Sequence, residues 1–310
     1  GGLGTDVAVY SGAEAGYDVS RPPSGIVVVT DIDLTDGDDG TDRLSSVEFN
    51  TFTGAQAHCL PGLLAELGYR AIASNAYKPN FFNTQPAYKG MGFAEQQFPV
   101  EFFTLEPTYL KFGDPGEEEY LFDGDLFPQN LELVRRHLDE HPDQPLFNYL
   151  LTIYGHTPHN LNEDKRPILI KSESNNPDDQ IERVVNQFYY RTQAIARYVK
   201  ELIALDPNSL IVLVSDHVPP LQFGPITYKA LAYMDNQEGN YFYNRLAIIE
   251  QGKPVTYDPM RHFDLPKMIL NNLTQGHYCA TGDCEYLVKT KPPLDTYFDK
   301  YLALMAHASE

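Results

Sequence analysis

Asp216 and His217 stand side by side at the end of "SLIVLVSDHVPPL", where an apolar run gives way to an acid, an imidazole and two prolines. A carboxylate oxygen and an imidazole nitrogen are ligands for a divalent cation such as Zn²⁺ or Mn²⁺. A cation with an open position polarises a phosphoryl oxygen or activates a hydroxyl. Pro219 and Pro220 cannot continue a strand ladder, so the backbone turns just after the pair, as two adjacent ligands of one ion require. The alternative is a turn-capping Asp216 beside a surface His217, and the pair alone does not choose between them. "YGHTPHNL" is a second constellation: His156 and His159 flank Pro158 in a loop, able to face one pocket and stabilise a phosphate or its leaving oxygen. Its alternative is a pair of loop histidines without a role.

Such side chains have to be delivered by elements that end on one rim. The chain reads as strands alternating with helices, which points to a mainly parallel central sheet with helices on both faces, an α/β class. "GIVVVTD" (25–31) is a continuous β-branched run after a breaker and is expected to be a central strand, with Asp31 and Asp33 at its end. Leu60, Leu63, Leu64 and Leu67 form a helical stripe closed by Gly68, and "YRAIASNAY" is the next strand. "PQNLELVRRHLDEH" is an amphipathic helix with a Pro start. "PLFNYLLTIY" is a buried strand, "DDQIERVVNQFYYRTQAIARYVKELIAL" a long helix with an acidic first turn, and "HFDLPKMILNNL" a short late helix. Ligands of such sheets sit beyond the carboxyl ends of the strands. Asp31 with Asp33, His156 with His159, and Asp216 with His217 all fall there. "FGDPGEEEYLFDGDLF" reads as an acidic, solvated surface loop.

Composition narrows the partners. With 43 acidic against 23 basic residues and a formal net charge of −20, the chain lacks the clustered Lys and Arg that a nucleic-acid backbone demands. No apolar run approaches the roughly 20 residues that cross a bilayer. The opening 1–24, rich in Gly, Ser and Pro, reads as a linker or chain edge. Residues 25–275 read as the main domain and 276–310 as a C-terminal appendage. Cys279 and Cys284 enclose only Ala280 to Asp283, which favours a small disulfide loop in an oxidising compartment over a zinc knuckle. Cys59, among apolar residues, reads as an inert buried thiol. Tyr77, Phe81, Phe82 and Tyr88 have the type that stacks on sugars, but with 21 Tyr and 17 Phe in the chain each one singly reads as core.

The order of "SSVEFNTFTG", "CLPGLLAELGYRAIASNAYKPNFFNTQPAYKGMGF", "YLLTIYGHTPHNL", "SLIVLVSDHVPPL" and "HFDLPKMILNNL" resembles the extracellular catalytic domain of the lipoteichoic acid synthase family, in the sulfatase branch of the alkaline phosphatase superfamily. The resemblance runs from about Gly25 to Leu273. It implies a sulfatase-like α/β fold, one Mn²⁺ or Zn²⁺, and a threonine nucleophile that forms a phospho-enzyme. The metal-binding Asp-His pair falls on Asp216 and His217, and the histidine that contacts the transferred group falls on His156. The aromatic and Asn of the substrate segment fall on Phe82 and Asn83; His159, read from its loop pair with His156, is taken as a further substrate contact. Three departures stand out. The basic residue after that Asn is Thr84 here, the metal glutamate of the first strand is replaced by Asp31 or Asp33, and the nucleophile position falls on Leu44.

Leu44 cannot attack phosphorus. Ser45, which needs the smallest register shift, and then Thr41 are the candidates to replace it, each needing a metal or base to activate its hydroxyl. The expected function is an extracytoplasmic, metal-dependent phosphoglycerol or phosphoethanolamine transferase, acting from a phospholipid donor onto a glycan or envelope polymer. It would be anchored in a bacterial inner membrane by helices that lie before Gly1. The alternatives are a phosphodiesterase or sulfatase, in which water replaces the acceptor, and a catalytically impaired binding module.

Overall fold

The computed structural model of the chain describes residues 59–99, 118, 120–171, 179–215, 217–219, 221, 225–232, 244–281, 284 and 287, with Phe82 and Asp179 as backbone only. It also describes the backbone of 17–20, 28–31 and 41–43. These residues fall into two compact units, one of residues 1–73, 79–96 and 259–310, the other of 74–78 and 97–258. Among the described residues, no helix is long and apolar enough to cross a membrane.

In the first unit, β1 (Tyr17–Ser20), β2 (Val28–Asp31) and β3 (Thr41–Arg43) form an antiparallel sheet with β2 in the middle. This departs from the parallel strand expected of "GIVVVTD". The β-branched run specifies an extended, buried chain but not the direction of its neighbours. One of those neighbours, β1, lies within the segment expected to be linker. Helix α1 (Leu60–Glu66) follows Cys59, whose half-buried thiol is pushed up in pKa by burial. β4 (Arg70–Asn75) is buried along nearly its whole length. A 3-10 turn at Phe81–Asn83 leads into α2 (Thr84–Met91), closed by Gly92 at φ 99°. A Cβ on Gly92 would come within 2.9 Å of the Gly62 backbone, so both the left-handed cap and the close approach require glycine there. β5 (Glu95–Gln97) begins with Glu95, which pairs with Arg70 at 2.7 Å.

The second unit carries α3 (Asp123–Glu140), β6 (Leu146–Leu151), α4 (Asp179–Leu205), β7 (Leu210–Val214), α5 (Pro225–Ala230), β8 (Leu246–Glu250) and β9 (Lys253–Val255). Back in the first unit lie α6 (Leu265–Leu273), α7 (His277–Thr281) and the Cys279–Cys284 disulfide, with Cα atoms 5.5 Å apart. The disulfide agrees with the spacing argument.

β4 lies between β5 and β6 in a parallel three-stranded sheet, so the α/β class holds. β7 departs from expectation by pairing antiparallel with β8, in a register running from Leu210↔Glu250 to Val214↔Leu246, and β8 pairs with β9. A strand this apolar satisfies either ladder, and the close return of β8 decides. α3 begins five residues ahead of Pro128, which sits inside the helix. Asp123 and Asp125 lie in its first turn, where carboxylates favour the helix dipole.

Phe127 and Leu131 of α3 pack with Tyr198 of α4, and Leu150 of β6 lies against them. Phe127 and Tyr198 stack at 4.5 Å. A buried polar knot crosses this core: Asn130 and Asn148 exchange amide hydrogen bonds at 3.0 and 2.7 Å, and Tyr198 Oη donates to Asn130 Oδ1 at 2.5 Å. Each polar group there has a partner, which is the condition for burying it without a large penalty. The knot ties α3, β6 and α4 in one register, and so fixes where β6 ends and its histidine loop begins.

Candidate functional site

The loops after β6 and β7 each carry a histidine, and the fold brings the two together. The His156 and His217 ring centroids lie 6.4 Å apart, nearly perpendicular at 81°. Ser215 extends the β7–β8 ladder by one residue, its amide donating to Arg245 O at 3.1 Å and its Oγ accepting from Arg245 N at 3.0 Å. His217 follows on the exposed turn, with Nδ1 2.7 Å from Val218 O. His156 is half-buried, with Nδ1 3.0 Å from Thr157 O. A carbonyl only accepts, so in both rings Nδ1 carries the hydrogen. In its neutral form each imidazole therefore keeps its lone pair on Nε2, the form that binds a metal or takes up a proton.

The other expected site residues are distributed as follows. Asp216, Asp33 and Ser45 lie outside the described residues. Asp31 and Thr41 are placed as backbone only, at the end of β2 and the start of β3. Asn83, at φ 53°, is the residue before α2; Phe82, beside it in the 3-10 turn, is placed as backbone only. Thr84, where a basic residue was expected, is buried and donates its hydroxyl to Phe81 O. Among the described residues, no three His, Cys, Asp or Glu side chains converge as a metal cluster.

His159 does not join His156. It is fully buried, its Nδ1 lies 3.1 Å from Gln187 Oε1, and its carbonyl accepts from Arg183 Nε at 3.2 Å. Gln187 also donates to Asn160 O at 2.7 Å. Its side chain is engaged with α4, and its backbone is left-handed (φ 58°). Tyr77 and Tyr88 are buried, as packing aromatics should be.

Two ion pairs that sequence reading missed brace the histidine loop. Glu118 is buried; its Oε1 accepts from Tyr154 Oη at 2.9 Å, Asn162 N at 3.0 Å and Arg166 Nε at 3.1 Å, while Oε2 takes Arg166 Nη2. The Arg166 guanidinium lies 4.1 Å over the Phe122 ring, and burial, reinforced by Glu118's charge, holds the Tyr154 phenol well above its usual range. In the second pair, Arg191 of α4 donates from Nε to Asp123 Oδ2 and from Nη2 to Thr152 Oγ1, each at 2.8 Å. Its Nη1 would lie 2.7 Å from a Cβ on Gly155, so a side chain before His156 would have to displace the guanidinium from this position.

Asp123 is fully buried, and its Oδ1 has no hydrogen-bond partner. Burial pushes its pKa up from 3.8 to about 6 despite the opposing Arg191 charge. The folded protein therefore holds a proton that the unfolded chain has released, and stability falls as pH rises between these two values. We expect Asp123→Asn to remove that fall, which amounts to about 3 kcal/mol. Urea unfolding at pH 4 and at pH 7 checks this, and equal pH dependence in the two proteins would sink it.

Residues 41–273 match the sulfatase family model. No curated protein matches the chain. Among solved structures it is similar to the lipoteichoic acid synthase LtaP from Listeria monocytogenes, at 15% identity and TM-score 0.50, over 70% of this chain and 54% of that one. It is also similar to a protein of the alkaline phosphatase superfamily from Vibrio parahaemolyticus (16%, TM-score 0.54, 86% and 74%). A third is the phosphoglycerol transferase GacH from Streptococcus pyogenes, solved with sn-glycerol-1-phosphate (16%, TM-score 0.51, 85% and 72%). The chain spans about half the length of LtaP, and likeness at these identities speaks to fold. With the family model matched over most of its length, the chain belongs to the sulfatase family.

Proposed function

We propose that this is the extracytoplasmic domain of a metal-dependent transferase that moves a phosphoglycerol or phosphoethanolamine group from a phospholipid onto a glycan or cell-envelope polymer. The observation that carries the reading is the meeting of His156 and His217 with both lone pairs on Nε2. The donor chemistry of His217, with Asp216 next to it in sequence, fits a divalent cation such as Mn²⁺ or Zn²⁺. Asp31 or Asp33 is proposed as a further ligand. Such an ion, when bound, polarises a phosphoryl oxygen and favours the alkoxide of a nearby hydroxyl.

His156 has its own part in this chemistry. Its Nε2 takes the proton of an attacking hydroxyl and returns it to the departing oxygen, while Nδ1 stays committed to Thr157 O. Ser45 and Thr41 are the hydroxyls proposed to attack, separable by Ser45→Ala and Thr41→Val. Asn83 and Phe82 are proposed to meet the substrate, whereas His159 holds its loop from beneath.

The experiment is metal analysis of protein purified without chelator, followed by incubation with headgroup-labelled phosphatidylglycerol or phosphatidylethanolamine and a glycan acceptor. Stoichiometric Mn or Zn and metal-dependent labelling of the acceptor are expected. Label release to water at a rate indifferent to acceptor would favour a phosphodiesterase. Substoichiometric metal with no label released would overturn the transferase and leave a glycan-binding module, the reading that Leu44 at the nucleophile position favours.

A further inference from the structure

Three alternate residues, Glu118, Tyr120 and Phe122, reach the histidine loop at three points. Glu118 takes Tyr154 Oη, Asn162 N and Arg166, and Phe122 packs on Tyr154 at 4.8 Å and under Arg166 at 4.1 Å. Between them, Tyr120 Oη donates to Thr157 O at 2.8 Å, and its ring meets the His156 ring at 5.8 Å and 78°. On its other side Tyr120 is met by Tyr77 at 5.3 Å and 67°. Glu118 and Phe122 thus hold the two ends of the loop's base, while Tyr120 engages the peptide next to His156.

The Thr157 carbonyl accepts from two donors, Tyr120 Oη at 2.8 Å and His156 Nδ1 at 3.0 Å. With the hydrogen on Nε2 instead, the Nδ1 lone pair would face the carbonyl lone pairs at that distance, which is repulsive. The direction of this one carbonyl therefore decides the tautomer of His156. Thr157 is exposed, so without an anchor its carbonyl could turn to water and release Nδ1. The phenol supplies the anchor, and the edge-to-face ring contact holds the imidazole plane.

We propose that Tyr120 is a positioning residue that, by pinning the Thr157 carbonyl, keeps His156 in the Nδ1-protonated tautomer with Nε2 ready to accept a proton. The importance of that tautomer rests on the reading above, in which His156 works through Nε2. The tautomer itself can be read without any turnover. A merely structural tyrosine would leave it unchanged, since Tyr120→Phe keeps the ring and its packing.

The test is nitrogen NMR of the full chain labelled at histidine, metal-free and above the imidazole titration range, with His156→Gln identifying the His156 signals. In the unaltered protein the proton should sit on Nδ1. Tyr120→Phe should bring the Nε2-protonated tautomer from a minor to a comparable population, and Tyr120→Leu, which loses the ring as well, should do so at least as strongly. A proton on Nε2 in the unaltered protein, or an Nδ1 population that neither variant moves, overturns the proposal. In the transfer assay Tyr120→Phe should cost about 10–100-fold in kcat with KM for the lipid little changed, the size typical of partners that orient a working histidine. A tautomer shift in a protein that transfers nothing upholds the positioning role and sinks the transferase reading. Transfer with an unmoved tautomer does the reverse.

Discussion

His217→Ala should leave the protein folded and inactive. The ring is exposed, and its contacts include its own neighbour's carbonyl and the edge of the His156 ring, so the cost in stability should stay within about 0.5 kcal/mol, as for most surface substitutions. The functional cost is of another order. If Nε2 is a metal ligand, its removal opens a coordination position and weakens uptake of Mn²⁺ or Zn²⁺. The rate should drop by at least the roughly 10²–10³-fold that follows loss of one electrostatic stabiliser of a transition state. Calorimetric metal titration and the labelled-lipid assay measure the two losses side by side. Weakened binding with matching loss of turnover is the expected pair. Unchanged turnover at saturating metal would remove His217 from the mechanism.

Arg166→Met should be the most destabilising substitution proposed for the second unit. Glu118 and Arg166 are both buried, with side chains 8% and 9% exposed. Removing the guanidinium leaves a carboxylate that still accepts from Tyr154 Oη and Asn162 N. Breaking a buried pair from one side costs about 3–5 kcal/mol, because the surviving charge has lost its compensation while staying out of water. Methionine keeps a favourable sulfur contact with the Phe122 ring, so the loss reports charge rather than packing. Glu118→Gln in the same chain should restore a large part of it, since an amide still accepts the two remaining hydrogen bonds. Urea unfolding of the two single variants and the double variant tests this. Simple additivity of the single costs would refute the pairing argument.

Much of the frame was legible in the sequence, for reasons that can be given element by element. α4 carries a long apolar periodicity, which local hydrogen bonding and one packed face convert directly into a helix. β4, β6 and β7 are short apolar runs bounded by breakers, and Cys279 with Cys284 can scarcely avoid each other. From strand ends alone it followed that His156 and His217 belong on one rim, and their rings do meet. Asp216, Asp33 and Ser45 lie outside the described residues, and their part rests on the experiments above.

The acidic stretch was read as a solvated loop, and there the reading failed. Glu118 and Asp123 are buried in it. Nothing local could reveal this, because the cations that make their burial tolerable lie 48 and 68 residues away in sequence. His159 was hidden for the same reason, its amide partner lying 28 residues on, in α4. By itself the sequence determined what depends on neighbours along the chain: which segments are helix or strand, where strands end, and which cysteines pair. Only the tertiary structure decided strand direction in the antiparallel sheets, which acids are desolvated, and which groups stand against His156. Each of these depends on partners that chain folding alone brings within hydrogen-bonding distance.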